Sequence, residues 1–130
     1  MSQEKNRILV IEDNKEHLMA LAIKLKAHKY DVVWAGDGVT AMTVATRERP
    51  DAILLDLGLP GGNGFVVLQR LRSLTSTIGI PVIVVSAREP MVNREMALEA
   101  GASAFLQKPV KTDELLQAWR KALTAEIIVP

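Results

Sequence analysis

Near its N-terminus the chain reads Ile8-Leu9-Val10-Ile11-Glu12-Asp13, four consecutive aliphatic residues followed by two acidic ones. An aliphatic run without polar alternation is typical of a strand buried on both faces of a parallel sheet. A second run, Ile53-Leu54-Leu55, ends in the same way at Asp56. If the two strands are neighbours, they bring three carboxylates to one edge of the sheet. Carboxylates that close together repel one another, so the pattern predicts a bound cation, and a ligand set made only of oxygen favours Mg2+.

The composition of the chain is that of a globular protein, with 48% hydrophobic and 24% charged residues among 130. The net charge is only +1 and the basic residues are scattered, which argues against direct nucleic-acid binding. The chain has no cysteine, which excludes disulfides and thiolate metal sites. It has no long apolar segment and no signal peptide, so we expect a cytoplasmic protein without membrane contact.

We predict a single domain over residues 1–130, with its core at about 7–123. The apolar tail, 124–130, is expected to begin a linker to an output domain, or to pack on the body or on a second copy. Short apolar runs alternate with amphipathic stretches along the core. The predicted strands are Ile8 to Ile11, Val32 to Ala35, Ala52 to Leu55, Pro81 to Val85 and Ala104 to Leu106.

Apolar residues three and four positions apart predict helices between and after these strands. Their core-facing residues are expected to be Leu18, Leu21, Ala22 and Leu25, then Ala41, Val44 and Ala45, then Val67, Leu68 and Leu71, then Met96, Ala97 and Ala100, and finally Leu115, Trp119, Ala122 and Leu123. Alternating strands and helices indicate a doubly wound α/β fold with helices on both faces of a parallel sheet.

Two further polar residues follow strands at the same edge. Ser86 comes after the fourth predicted strand, and Lys108 comes shortly after the fifth. Each of these residues alone has an ordinary explanation, such as a helix cap, a turn or a solvated lysine. Sites in such folds lie beyond the carboxyl ends of the strands, however, and there the acids, the hydroxyl and the lysine are expected to meet.

In these residues the chain resembles the receiver domain of two-component response regulators, which has the flavodoxin-like fold with strand order 2-1-3-4-5. The matching motifs are Ile11-Glu12-Asp13-Asn14, Asp56-Leu57-Gly58-Leu59-Pro60-Gly61-Gly62-Asn63-Gly64, Val85-Ser86-Ala87 and Lys108-Pro109. The most specific of them is the Asp-x-x-x-Pro-x-x-x-Gly spacing. The resemblance extends from about Arg7 to Leu123.

The resemblance implies that Asp56 accepts a phosphoryl group from a phosphohistidine, on a sensor histidine kinase or a histidine phosphotransfer domain. Mg2+, for which Mn2+ can substitute, is then held by Asp13, Asp56 and the backbone carbonyl of Gly58, and by Glu12 through a water. Lys108 pairs with a phosphoryl oxygen, and Ser86 donates to another. The domain catalyses only its own phosphoryl transfer and autodephosphorylation, so it is not an enzyme in the usual sense.

The resemblance also implies a switch, in which Ser86 moves toward the phosphoryl group and Phe105 rotates inward behind it. The face that signals to an output domain or protein is expected to include Met91, Arg94, Phe105, Gln107 and Ala118. A phosphorylation-dependent homodimer is a further candidate assembly. A cis Lys108–Pro109 peptide is expected. Gly58 and Arg88 stand at positions that tune the phosphoryl lifetime in this family, and their effects oppose each other.

Four residues outside the motifs call for an interpretation. His28-Lys29 ends the first helix where the family commonly has glycine. His17, one turn beyond Asp13, is interpreted as a hydrated surface histidine rather than a metal ligand. Trp34 lies on an edge strand in this topology. We expect it to pack against a flanking helix, and partial exposure toward a partner is the alternative.

Three other functions compete with this interpretation. A haloacid-dehalogenase-type phosphatase also uses an Asp nucleophile with Mg2+, but it needs a second Asp where this chain has Gly58. A pseudo-receiver keeps the fold without taking a phosphoryl group, although such domains usually lose an acid or the lysine. An FMN-binding flavodoxin needs a Ser/Thr-rich phosphate loop after the first strand, where this chain is acidic.

Overall fold

The computed structural model describes residues 6–59, 64–87 and 90–127, with the backbone alone at 90–92 and 123–127. In these residues five strands alternate with five helices. The strands are β1 (Arg7–Ile11), β2 (Asp31–Ala35), β3 (Ala52–Asp56), β4 (Val82–Ser86) and β5 (Ala104–Gln107). The helices are α1 (Lys15–Ala27), α2 (Gly38–Glu48), α3 (Gly64–Ser73), α4 (Pro90–Glu99) and α5 (Thr112–Ile127).

The strands form one parallel sheet in the order β2-β1-β3-β4-β5, which confirms the predicted fold and strand order. Each predicted strand end lies within one residue of the observed one. All residues of β3 and β4 are buried, because the two central strands are covered by helices on both faces. The carboxyl ends of the two central strands are therefore held firmly by the core.

The helices divide between the two faces of the sheet. Buried residues of α2, α3 and α4 share one core cluster, and those of α1 and α5 share the other. The predicted core-facing residues of α2 and α3 are all buried. The prediction for Met96 is wrong: its side chain is 47% exposed, and Ala97 next to it is the residue of α4 that enters the core.

Among the described residues, no helix is both long enough and apolar enough to cross a bilayer. The last three residues of the predicted tail, 128–130, and the side chain of Leu123 lie outside the described part of the chain.

Helix α1 ends with a residue in the left-handed region. Lys29 has φ 72°, and its N–H donates to the Lys26 carbonyl while the Tyr30 N–H donates to the Leu25 carbonyl. This pair of bonds is the Schellman arrangement, in which glycine is the preferred residue. The side chain of Lys29 therefore carries a conformational cost that glycine would not have.

We expect Lys29→Gly to raise the free energy of unfolding by about 1 kcal/mol, because glycine adopts positive φ without steric cost. Lys26→Gly, three residues earlier and inside α1, is the matched control and should lower it by about the same amount. Urea unfolding of both variants measures the difference. A less stable Lys29→Gly protein would show that the lysine side chain contributes more than its backbone strain costs.

Candidate functional site

The carboxyl ends of four strands bring the predicted site residues together. Glu12 follows β1, Asp56 ends β3 and Ser86 ends β4, while Lys108 follows β5. Strands β1 and β3 are paired neighbours, with Ile11 beside Leu55, so the acids that follow them stand at one edge of the sheet. The sequence prediction that these strand ends converge is therefore correct in its geometry.

Three carboxylates form a compact cluster at this edge. Glu12, Asp13 and Asp56 each offer an oxygen, and these oxygens all lie within 4.8 Å of one another. Glu12 and Asp56 are buried, whereas Asp13 is exposed. Oxygens on opposite sides of an Mg2+ ion with bonds of 2.0–2.1 Å stand about 4 Å apart. The spacing and the purely oxygen donor set therefore fit a hard divalent cation.

Lys108 bridges the two buried acids. Its Nζ donates to Glu12 Oε1 at 2.8 Å and to Asp56 Oδ2 at 3.2 Å. The backbone N–H of Lys108 also donates to the carbonyl oxygen of Ser86 at 2.8 Å, so the loop after β5 is tied to the end of β4. The Lys108–Pro109 peptide is cis, which confirms the expectation from the family.

The environment of this cluster shifts the pKa values of Glu12 and Lys108. Burial raises the pKa of Glu12, and contact with Asp56 raises it further, although the hydrogen bond from Lys108 opposes both effects. Burial alone would lower the pKa of Lys108, but its hydrogen bonds and charge interactions with Glu12 and Asp56 outweigh burial and raise it. Lys108 is therefore held firmly in its charged form, while Glu12 takes up a proton more readily than a solvated glutamate.

Both oxygens of the Asp56 carboxylate have a donor. Oδ1 accepts from the backbone N–H of Gly58 at 2.8 Å, and Oδ2 accepts from Lys108. The orientation of the carboxylate is therefore fixed by two bonds. Gly58 is exposed, and a Cβ added to it would lie 3.2 Å from Asp56 Oδ1. A side chain at position 58 would stand directly beside the Asp56 carboxylate.

Ser86 and Phe105 lie deeper in the protein. Ser86 is fully buried at the end of β4, and Phe105 is 6% exposed within the core cluster covered by α2, α3 and α4. Phe105 pairs with Val84 across the β4–β5 ladder, two residues before Ser86. The two predicted switch residues therefore lie on neighbouring strands.

His17 is exposed, as the sequence interpretation expected, but it also lies beside the cluster. Its side chain is 56% exposed, yet Nδ1 lies 3.3 Å from Lys108 Nζ and 3.6 Å from Glu12 Oε1. The Asn14 side chain caps α1 by accepting from the backbone N–H of His17, so His17 lies in the first turn of the helix. The sequence offered one sign of this proximity: His17 comes four residues after Asp13, in the turn of α1 that is nearest to the acidic segment.

Trp34 is also connected to the site. The indole is 41% exposed, and its Nε1 donates to the backbone carbonyl oxygen of Glu12 at 2.7 Å. We expected this residue to pack against a helix, and no sequence pattern indicated a bond to the acidic segment. Only the pairing of β1 with β2, which places Trp34 beside Val10, brings the indole within reach.

The predicted partner face is only partly described. Arg94, Phe105 and Ala118 line a groove of about 440 Å³ formed by α4, β5 and α5, and Gln107 is exposed at the end of β5. Of Met91 only the backbone is described. Arg88 and the segment 60–63, which includes the proline of the most specific motif, lie outside the described residues.

Comparison with known proteins finds a matching family model and similar response regulators. The family model described as "Response regulator receiver domain" matches residues 8–120. The response regulator PleD of Caulobacter vibrioides is 42% identical over 118 residues, which cover 91% of this chain and 26% of PleD. The DNA-binding response regulator MtrA of Mycobacterium tuberculosis is 37% identical over 123 residues, which cover 95% of this chain and 53% of MtrA. The chain thus spans a quarter to a half of these curated relatives.

Solved structures agree in fold. The receiver domain of the sensor histidine kinase PA1611 from Pseudomonas aeruginosa, with a magnesium ion coordinated in its active site cleft, has a TM-score of 0.83 and 30% identity, covering 93% of this chain and 99% of that one. The BeF3-activated receiver domain of Klebsiella pneumoniae RstA has a TM-score of 0.81 and 33% identity, covering 91% and 98%.

The raised pKa of Glu12 predicts a pH-dependent stability for the metal-free protein. Because the folded state binds this proton more tightly than the unfolded chain, the free energy of unfolding should fall as the pH rises from about 4.5, the ordinary value, through the raised pKa. Glu12→Gln lacks this titration, so its melting temperature relative to wild type should increase from acid to neutral pH.

Thermal unfolding in EDTA over this pH range measures the effect. Glu16→Gln, which removes an exposed carboxylate from the first turn of α1, controls for the change in net charge. If the difference in melting temperature between Glu12→Gln and wild type stayed constant with pH, the raised pKa of Glu12 would be contradicted.

Proposed function

The chain belongs to the response regulator receiver domain family of two-component systems, and we propose that Asp56 is its phosphoryl acceptor. The observation that carries the proposal is the Asp56 carboxylate itself. It is buried at the end of β3, oriented by Gly58 and Lys108, and grouped with two further acids. Receiver domains are signalling proteins rather than classical enzymes.

The geometry favours Asp56 over the other two acids as the nucleophile. Glu12 is 1% exposed, against 6% for Asp56, so its carboxylate is the less accessible of the two to an incoming phosphoryl group. Asp13 is exposed in the loop between β1 and α1, and among the described residues no hydrogen bond to its carboxylate is seen. Asp56 combines a fixed orientation with a position at the edge of the sheet, which is what an in-line displacement requires.

The proposed reaction is a phosphoryl transfer from a phosphohistidine. An Asp56 carboxylate oxygen forms a bond to phosphorus while the phosphorus–nitrogen bond to the imidazole breaks. The electron pair of that bond leaves with the imidazole, which then takes up a proton. The product on Asp56 is a mixed anhydride, and attack by water on its phosphorus returns the free carboxylate and inorganic phosphate.

Three residues would hold a magnesium ion, in agreement with the oxygen donor set. These are Asp13, Asp56 and Gly58 through its backbone carbonyl, and Glu12 would contribute through a water. When bound, the ion offsets the negative charge that builds up between the acceptor and the phosphoryl oxygens. Mn2+ accepts the same oxygen ligands, so we propose that it can substitute.

Lys108 and Ser86 supply the remaining contacts to the phosphoryl group. Lys108 already donates to Asp56 Oδ2, so a small rotation of its ammonium group would redirect one donor to a phosphoryl oxygen. Ser86 ends the strand next to β3, and its hydroxyl would donate to another oxygen. Its movement would open space toward Phe105 on β5, whose inward and outward states differ by packing.

The lifetime of the phosphorylated state depends on positions 58 and 88 in our proposal. Gly58 has no side chain to shield the phosphoryl group from water. The side chain of Arg88 would pair with the group or block the attacking water. The two residues therefore act in opposite directions.

The proposed partners follow from this chemistry. A sensor histidine kinase or a histidine phosphotransfer domain supplies the phosphoryl group. The α4–β5–α5 face, with Met91, Arg94, Phe105, Gln107 and Ala118, carries the signal to an output domain or protein, or to a second copy of the chain. The division into a core at about 7–123 and a tail at 124–130 stays a prediction.

Asp56→Asn should abolish phosphoryl uptake, since an amide is not a competent nucleophile. The test is intact-protein mass after incubation with acetyl phosphate, with and without Mg2+. We expect a single adduct on the wild-type protein that requires the metal. Asp51→Asn, at the opposite end of β3 where Asp51 accepts from the Arg7 N–H, is the matched control and should keep the adduct. Uptake by Asp56→Asn at the wild-type rate would refute the assignment.

Lys108→Ala should still bind Mg2+ but should uncouple phosphorylation from the conformational change, because the contact between β5 and the phosphoryl group is lost. NMR signals of Ser86 and Phe105, recorded before and after phosphorylation, measure the coupling. Lys111→Ala, an exposed lysine three residues later, is the control. A wild-type spectral change in Lys108→Ala would contradict the proposed role.

A further inference from the structure

The acidic segment Glu12-Asp13 is anchored to the edge strand β2 by one backbone–backbone hydrogen bond and one hydrogen bond from a side chain. The Glu12 N–H donates to the Ala35 carbonyl at 3.0 Å and continues the sheet ladder. The Glu12 carbonyl lies beyond the last paired residue of β1, and the indole Nε1 of Trp34 donates to it at 2.7 Å. A side chain thus supplies the bond that the ladder no longer provides.

This carbonyl belongs to the peptide unit that joins Glu12 to Asp13. On the other side of Asp13, the Asn14 side chain caps α1, and the Asn14 N–H donates to Glu12 Oε2 at 3.2 Å. Asp13 therefore stands between two anchored residues although its own side chain is exposed. The indole N–H restrains the Glu12–Asp13 peptide, which directly precedes the Asp13 Cα.

The position of the indole is itself constrained. A Cβ added to Gly36 would lie only 3.1 Å from Trp34 Cζ2, so the ring lies close against the backbone where β2 ends. Trp34 is 41% exposed, so it is not a core residue, and burial alone does not account for the position of its ring. The hydrogen bond to Glu12 links this half-exposed aromatic directly to the acidic segment.

We propose that Trp34 is a positioning residue for the divalent-cation site: its indole N–H holds the Glu12–Asp13 peptide so that both carboxylates face Asp56. The inference rests on the proposed function, since it requires the acidic cluster to bind Mg2+. Phenylalanine at position 34 keeps an aromatic ring and removes the donor. Without this bond the Glu12–Asp13 peptide can rotate, and Mg2+ binding is then weaker because it must also order the peptide.

The test compares Mg2+ binding by wild type, Trp34→Phe and Trp119→Phe, measured by titration calorimetry on the whole chain. The chain has two tryptophans, and Trp119 is 3% exposed on α5, where it packs edge-to-face on Tyr30. Loss of one hydrogen bond predicts an Mg2+ affinity about 3- to 10-fold weaker for Trp34→Phe. Trp119→Phe should lower the melting temperature in EDTA and leave the Mg2+ affinity unchanged.

Fluorescence gives a second readout from the same two proteins. In Trp119→Phe the emission comes from Trp34 and should change with Mg2+ at the affinity that calorimetry gives. In Trp34→Phe the emission comes from Trp119 and should not respond. These results together would support a positioning role, because a residue that only stabilises the fold would not report the ion.

Two results would overturn the inference while leaving the proposed function intact: wild-type Mg2+ affinity in Trp34→Phe, or equal losses of affinity in both variants. A wild-type protein that binds no Mg2+ at all would refute the proposed function, and the inference with it. The phosphoryl adduct on wild-type protein separates these cases, since its formation with Mg2+ shows a working site whatever the Trp34 variant does.

Discussion

The contact of Lys108 with Glu12 and Asp56 is the interaction on which the site depends. Two carboxylates that are 1% and 6% exposed lie next to each other, and burying an ion without a partner costs several kcal/mol. A single ammonium group bonded to both, at 2.8 and 3.2 Å, offsets much of that cost. The fold can keep two buried acids at the edge of the sheet because Lys108, which directly follows β5, places an ammonium group between them.

The sheet makes this concentration of charge possible. Its central strands are apolar along their whole length and buried on both faces, so their polar residues can stand only where they end. In a parallel sheet those ends share one edge, and the site residues therefore come from four separate segments of the chain. The apolar core fixes the positions of the strands, and the chemistry is confined to the residues just beyond them.

The elements that could be predicted from sequence are those that a short stretch of consecutive residues identifies. Aliphatic runs located the strands to within one residue, and the acids at their ends located the cluster. Met96 was assigned to the core and is exposed, because helical periodicity alone does not say which of two neighbouring residues faces the sheet. His17 stands four residues from Asp13 in the sequence, but its contact with Lys108, like the contact of Trp34 with Glu12, depends on which strands and helices are neighbours in space.

In the proposed function, the arrangement of donors around Lys108 would let a metal and a phosphoryl group act together at one site. Lys108 has three N–H donors, and Glu12 and Asp56 engage two of them. A cation shared by the acids would offset their charge and weaken their hold on the ammonium, which would leave Lys108 able to turn toward a phosphoryl oxygen. The backbone of Lys108 is bonded to Ser86, so such a turn would act on the end of β4 directly. In the proposed function, the charge balance that makes the buried acids tolerable is therefore also the means by which phosphorylation reaches β4 and β5.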